Sequence, residues 1–464
     1  MVFSGVPFLY YFLPGCVLLY VLAPKRLKNA ALLLASLLFY AWGEPKYVLL
    51  LLASIAQGYA AALVIEHRRG TRAAAIARTT SVVLSLGLLA VFKYADFFLG
   101  SFAAATGLSV PLLRLALPAG ISFYTFQILS YVLDVWHGRA PAQRRVVDLA
   151  TYIAMFPQLI AGPIVRYTDI AGQLNSRAAT LSGAAAGVRR FAVGLGKKVL
   201  LADSLAAIGA AWRQTAEPSV LFAWLYAISF LLQIYFDFSG YSDMAIGLGR
   251  LFGFSFPENF NYPYLARSIT EFWRRWHISL GTWFRDYLYI PLGGSRTTRG
   301  KWVRNILIVW AATGLWHGAA WNFLLWGLLF AALLLAEKFV LRPFLEKYRV
   351  LSHAYVLLFV TLGFVLFDAA CLSDALKTLG ALFGAGSLAG ASQEALYLLR
   401  SNAVLLLLAA AGATPLPTRL CRALSERRAG LANILEPLGI LLLLALCTAY
   451  LVDGSFSPFL YFRF

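Results

Sequence analysis

Long apolar runs separated by short, mostly basic stretches fill this chain from end to end. The first extends from about Val6 to Ala23 and is followed by Lys25, Arg26 and Lys28. The second ends near Trp42, at Gly43-Glu44-Pro45, and the third, about Tyr47 to Ile65, leads into His67-Arg68-Arg69-Gly70-Thr71-Arg72. Further apolar runs lie near residues 79–92, 118–136, 148–165, 191–212, 219–236, 303–316, 320–340, 352–370, 394–412 and 431–451. A helix needs roughly 20 such residues to cross a bilayer, and loops take their share. The pattern therefore predicts an all-α polytopic membrane protein of about 10 to 13 spans. Short loops rich in Lys and Arg stay in the cytoplasm, so the first and third spans both exit inward and the N-terminus is expected outside. Met1 to Ala23 carries no basic n-region and reads as a first span rather than a cleaved signal.

Several runs carry Gly, Pro or polar residues at their middle, among them Pro157-Gln158, Gly162-Pro163, and Gly314 with Gly318. Irregular backbone at membrane depth is tolerated where it is buried in protein or lines a wet cavity, so a cavity is expected rather than a plain bundle. No internal repeat is visible, which argues against a secondary transporter built from two related halves. No linker separates a soluble domain, and residues 1–464 are read as a single transmembrane domain.

Residues 265–290 follow a different pattern. Leu265, Ile269, Phe272, Trp276, Leu280, Trp283 and Tyr287 recur at steps of three or four, which predicts one amphipathic helix in the plane of the interface. Arg274, Arg275 and Arg285 lie off the apolar stripe, and Glu271 stands four residues before Arg275, the spacing of a helical ion pair. His277 falls on a face with Trp273, Leu280 and Phe284, toward protein or lipid. Two readings stand for it: an interfacial anchor bonding a backbone carbonyl, or a working imidazole.

Composition agrees with a membrane protein. The chain has 464 residues, of which 60% are hydrophobic and 13% charged, about half the charged fraction of a soluble domain. Its net charge of +19 comes from 40 Lys and Arg against 21 Asp and Glu. These cations sit in short loops, where they set topology and face lipid headgroups or a phosphate-bearing ligand. No basic domain stands apart, which excludes nucleic acid as the partner. Cys16, Cys371, Cys421 and Cys447 form no C-x-x-C, so neither a disulfide framework nor a Cys-rich zinc site is expected.

His317, in Gly314-Leu315-Trp316-His317-Gly318-Ala319-Ala320-Trp321, is the strongest candidate for chemistry. The apolar run around it, Trp302 to Leu335, is too long for one upright span. An ionisable residue at membrane depth marks a functional site by default. Burial favours the neutral imidazole, which can accept a proton. The flanking glycines allow backbone or substrate to approach closely, and the competing reading is a histidine that only packs helices. Asp237, Ser239, Tyr241, Ser242 and Asp243 follow the run ending at Phe236, where they either mark the interface or line a polar cavity. Trp316, Trp321 and Asn322 are further candidates to line it. Ser122, Tyr124, Thr125 and Gln127 read better as interhelical hydrogen-bonding groups. Arg296, Arg299, Lys301 and Arg304 around Gly293-Gly294 hold phosphates or fix topology, but the glycines form no P-loop. Neither H-E-x-x-H nor G-x-S-x-G occurs, so no metal site and no serine hydrolase is predicted.

A set of motifs ties these observations together: Pro257-Glu258-Asn259-Phe260-Asn261-Tyr262-Pro263-Tyr264, then Ser268 to Leu280 with its Glu271-Phe272-Trp273-Arg274-Arg275-Trp276-His277, then Trp283 to Gly294, then Gly314-Leu315-Trp316-His317-Gly318. Tyr235 to Asp243, the opening Met1-Val2-Phe3-Ser4 and the tail Phe456-Ser457-Pro458-Phe459 fit the same pattern. The chain resembles the membrane-bound O-acyltransferase family, and within it the branch typified by alginate O-acetyltransferase. The match is specific from about Phe230 to Gly327, the motif-bearing core, while residues 341–453 carry no distinguishing motif. The resemblance implies a ring of tilted helices, some broken, re-entrant or interfacial, around a central funnel in a locally thin membrane. It makes His317 the buried catalytic histidine and His277 the second functional one. It further implies acetyl-coenzyme A as a cytoplasmic donor substrate, no permanently bound cofactor, and a polysaccharide acceptor outside, reached through an esterase-like (SGNH-type) partner.

Acetyl transfer from a thioester needs a base for the attacking hydroxyl and a donor for the oxyanion. His317 suits the base, or is itself acylated as a nucleophile. His277 or a nearby tyrosine hydroxyl suits the oxyanion. Arg274, Arg275 and Arg285 suit the coenzyme's phosphates. The expectation is thus an O-acetyltransferase acting on an exported polysaccharide such as alginate, in the cell membrane. The alternatives are D-alanyl transfer to teichoic acid from a carrier-protein thioester and, in a different class, a transporter.

Overall fold

The computed structural model describes residues 3–160 and 162–454, and the Met1-Val2 and Phe456–Phe459 parts of the sequence motifs lie outside them. Apart from one isolated parallel bridge between Ser219 and Ala389, the described regular structure is helical. Among the described residues six helices are long and apolar enough to cross a membrane, and seven if the bent pair Gln393–Ser401 and Ala403–Gly412 counts as one span. The chain is an all-α, multi-pass membrane protein. Other apolar runs of the sequence form shorter or broken helices. The run at 148–165, for example, becomes Val146–Ala154 and Phe156–Leu159. Met155 between them leaves the helical conformation, and Pro157 lies in the first turn of the second piece, where its missing N–H costs nothing.

The described residues divide into two compact units, Met1–Phe191 with Ser242–Glu258, and Ala192–Tyr241 with Asn259–Phe464. In the first unit the helix Ile121–Trp136 is buried along nearly its whole length, and it takes Ser122, Tyr124, Thr125 and Gln127 inside with it. Gly120 starts that helix at φ +73, and a Cβ there would collide with the Leu159 carbonyl oxygen. Glycine meets both demands.

The second unit contains the histidines. Its helices include α1 (Leu181–Gly196), which enters the unit at Ala192; α2 (Val220–Leu251), which leaves it at Tyr241; α3 (Ile269–Arg275); α4 (Ile278–Phe284); α5 (Arg299–His317); and α6 (Trp321–Ala336). The unit's core is aromatic, built from residues such as Tyr235, Phe272, Trp276, Trp326, Phe330 and Phe364. The run Trp302–Leu335, too long for one span, folds as the antiparallel pair α5–α6 around a turn at residues 318–320. Glycines set the closeness of that pair. A Cβ at Gly314 would fall on the Phe323 carbonyl oxygen, and one at Gly327 on the Trp310 carbonyl oxygen. The close approach foreseen at Gly314 is made by backbone.

Candidate active site

His317 is the last residue of α5, and the helix stops because Gly318 is extended rather than helical. The side chain is 5% exposed, and its ring lies among three others: Trp316 at 5.0 Å, Trp326 at 5.1 Å and Phe367 at 5.3 Å between centroids. All three contacts are edge-on, a geometry aromatic rings prefer.

The single amphipathic helix expected over 265–290 is interrupted at His277. α3 ends at Arg275, His277 takes the left-handed conformation (φ +46, ψ +52), and α4 begins at Ile278. A non-glycine residue in that region is uncommon and is held by its surroundings. Here Asn259 holds it. The Asn259 carbonyl accepts the Ile278 N–H at 3.0 Å, and its Oδ1 accepts the Ser279 N–H at 3.2 Å and the Ser279 hydroxyl at 2.9 Å. The same oxygen lies 3.1 Å from His277 Nδ1. The apolar stripe survives the break, since Ile269, Phe272, Trp276, Leu280 and Trp283 are all buried. The predicted ion pair is present too, with Arg275 Nη2 2.8 Å from Glu271 Oε1. His277 is 2% exposed, packed edge-on against Phe238 at 4.6 Å. Burial pushes its imidazole down to about 3, so it is neutral at physiological pH. Trp316 stands next to both histidines, 6.0 Å from the His277 ring and 5.0 Å from that of His317.

Both histidines line one cavity of about 1050 Å³, at the upper end of small-molecule sites. One face of α5 forms its long wall, through Arg299, Trp302, Ile306, Val309, Trp310, Thr313 and His317. These recur at helical spacing, so the wall runs about 27 Å from Arg299 to His317 at 1.5 Å per residue. Its other walls come from α3, α4 and the end of α6 with its extension. There Glu337 accepts the N–H groups of Ile269 and Thr270, capping α3 with a carboxylate where the helix dipole favours one. Among the described residues four cations line the cavity, Arg274, Arg285, Arg299 and Lys338, and no carboxylate does. Arg285 pairs with Asp286 at 2.7 Å. Among the described residues no carboxylate pairs with Arg274, Arg299 or Lys338. Arg299 stacks on Phe339 at 5.2 Å.

The remaining sequence candidates lie elsewhere. Arg275 is engaged by Glu271 and by the Asn261 carbonyl, and is off the cavity wall. Asp237 is buried and bound at 2.7 Å by Lys198, which also meets Asp203 at 2.6 Å. Ser239 and Tyr241 are buried near it on α2. Trp316 packs behind the histidines, and Asn322 donates at 2.9 Å to the Ala369 carbonyl. Trp321 is 55% exposed. None of these seven candidates lines the cavity. Two features of the site escaped sequence reasoning. Lys338 follows a long apolar run and resembles a topology marker. Asn259 carries no charge, and only its place in a motif with His277 offered a signal.

The family model described as membrane-bound O-acyltransferase matches residues 145–367, which include the whole cavity. The probable alginate O-acetylase of Azotobacter vinelandii is 41% identical, over 100% of each chain. The peptidoglycan O-acetyltransferase of Helicobacter pylori is 35% identical over 85% of this chain and 82% of its own. The teichoic acid D-alanyltransferase of Bacillus subtilis is 28% identical over 54% and 68%. Of these three relatives, the two named as acetyl-transferring enzymes share more identity with the chain than the D-alanyltransferase does, and the match to the Azotobacter vinelandii protein spans the two histidines, their cavity and the helices around them. This chain belongs to the membrane-bound O-acyltransferase family, in its alginate O-acetyltransferase branch, and is an O-acyltransferase.

Proposed function

We propose that the protein takes an acetyl group from acetyl-coenzyme A on the cytoplasmic side of the cell membrane and passes it toward a hydroxyl of an extracytoplasmic polysaccharide such as alginate. An esterase-like partner of the SGNH type completes delivery, and the N-terminus lies outside. One observation carries this reading: a single cavity joins unneutralised cations at one end to a buried histidine about 27 Å along the same helix face. Coenzyme A has matching ends. Its nucleotide carries several phosphate charges, and its neutral arm ends in the thioester. Arg299 and Lys338, with Arg274 and Arg285, attract the phosphates, since charged hydrogen bonds to phosphate are among the strongest available. Three aromatic rings pack around His317 and shield it from solvent. His317 then takes the proton of the attacking hydroxyl as its oxygen bonds to the acetyl carbon. The carbon–sulfur bond breaks, and the leaving thiolate takes up that proton.

The test uses reconstituted protein and acetyl-labelled acetyl-coenzyme A. Label is expected on a polysaccharide or partner, and none with His317→Ala, which should stay folded. Label retained on the protein itself would make His317 the acylated nucleophile. Activity only with a carrier-protein D-alanyl thioester, or passage of intact substrate without a thioester, would refute the proposal.

A further inference from the structure

The bonds around Asn259 fix more than a backbone turn. A backbone N–H can only donate, so the Asn259 atom that meets the Ser279 N–H is the amide oxygen and not the amide nitrogen. That oxygen also lies 3.1 Å from His277 Nδ1. An amide oxygen can only accept, so Nδ1 carries the hydrogen and the neutral ring keeps its lone pair at Nε2. Backbone bonds hold the two segments in register: Asn261 N–H donates to the Arg275 carbonyl at 2.9 Å and Ile278 N–H to the Asn259 carbonyl at 3.0 Å. The ring therefore meets Asn259 at a set position.

We infer that Asn259 is a positioning residue that locks His277, a residue of the cavity wall, as the Nδ1–H tautomer with Nε2 as its proton-accepting atom. Its use in catalysis rests on the acetyl-transfer reading above. The assignment changes the roles the sequence left open. A neutral imidazole of this tautomer has no N–H at Nε2 to offer an oxyanion. The tyrosine on the cavity wall, Tyr289, does not replace it. Its oxygen accepts from Trp302 Nε1 at 3.0 Å, and Trp302 lies about 22 Å along α5 from His317. Oxyanion stabilisation then falls to another group, and His277 joins His317 as a second acceptor. The rings packed on His277, Phe238 and Trp316, carry no charge to alter this.

The experiment is ¹⁵N spectroscopy of the full-length protein in lipid with labelled histidine. The chain has five histidines, and the His277 signals are identified by their loss in His277→Gln. The expected result is a protonated Nδ1 and a bare Nε2, with both tautomers populated in Asn259→Ala. An Nε2–H tautomer in the wild type overturns the inference. Kinetics give the second readout. Asn259→Ala should lower kcat more than about tenfold with little change in KM for acetyl-coenzyme A. Asn259→Asp keeps an acceptor in place and preserves the fold. Its negative charge favours imidazolium, so it should retain activity and move the acid limb of kcat to higher pH. An unmoved limb, or wild-type kcat in Asn259→Ala, contradicts the positioning role. Absence of any acetyl transfer by the wild type would overturn the proposed function but leave the tautomer result standing.

Discussion

Removing the cations at one end of the cavity should weaken donor binding without touching the chemistry at the other. Arg299 and Lys338 line the cavity and, among the described residues, have no carboxylate partner, so the field they exert is not spent on a neighbour. A hydrogen bond to a charged group contributes about 1.5–3 kcal/mol. Both side chains are exposed at the wall, and solvent screening reduces that to about 1 kcal/mol each. Arg299→Gln and Lys338→Gln should therefore raise KM for acetyl-coenzyme A about fivefold singly and about 30-fold together. Values of kcat should hold, because His317 lies about 27 Å away along α5. The assay compares acetyl-coenzyme A with acetyl-pantetheine, which has the same thioester but no nucleotide. The short donor should show no difference between wild type and double variant, and added salt should narrow the gap for the long one. Equal losses with both donors, or no loss in the double variant, would refute the assignment of this end to the phosphates.

Two other expectations concern stability. Gly327→Ala forces a Cβ onto the Trp310 carbonyl oxygen, and the α5–α6 pair must separate to admit it. Denaturant unfolding in detergent should show a loss of about 1–3 kcal/mol, while Gly300→Ala, where a Cβ meets nothing, should not. The pH dependence follows from His277, whose folded value is pushed down to about 3 from an ordinary 6.5. Between those values the unfolded chain binds a proton that the folded one refuses. Stability is thus fully present above about pH 6.5 and falls with acidification by up to about 1.4 kcal/mol per pH unit. His277→Gln should flatten the unfolding free energy between pH 5 and pH 6.5, and an unchanged slope would contradict the buried neutral state.

The histidines and the apolar stripe around them were legible because both depend on local pattern. Phe272, Trp276 and Leu280 are buried as their spacing requires, and Glu271 meets Arg275 because four residues is one helical turn. The break at His277 was not legible. Helical periodicity continues through it, and the left-handed residue is held by Asn259, 18 positions away. Gly314 left open whether backbone or substrate makes the close approach, and the neighbour is the backbone of Phe323, visible only once α5 and α6 are paired. Asp237 was marked as a carboxylate near membrane depth, and its partner Lys198 comes from a separate helical segment that no spacing rule connects to it. Lys338 and Arg299 reach one wall from the opposite ends of two consecutive helices. A sequence shows each as a loop cation and cannot show that they share a cavity.

The most direct test of the account is a structure of the protein with a non-cleavable thioether analogue of acetyl-coenzyme A. The account predicts density along the α5 face, with the phosphates beside Arg299 and Lys338 and the acetyl group against the His317 ring. An analogue bound outside this cavity, or one whose acyl end points away from His317, would contradict it.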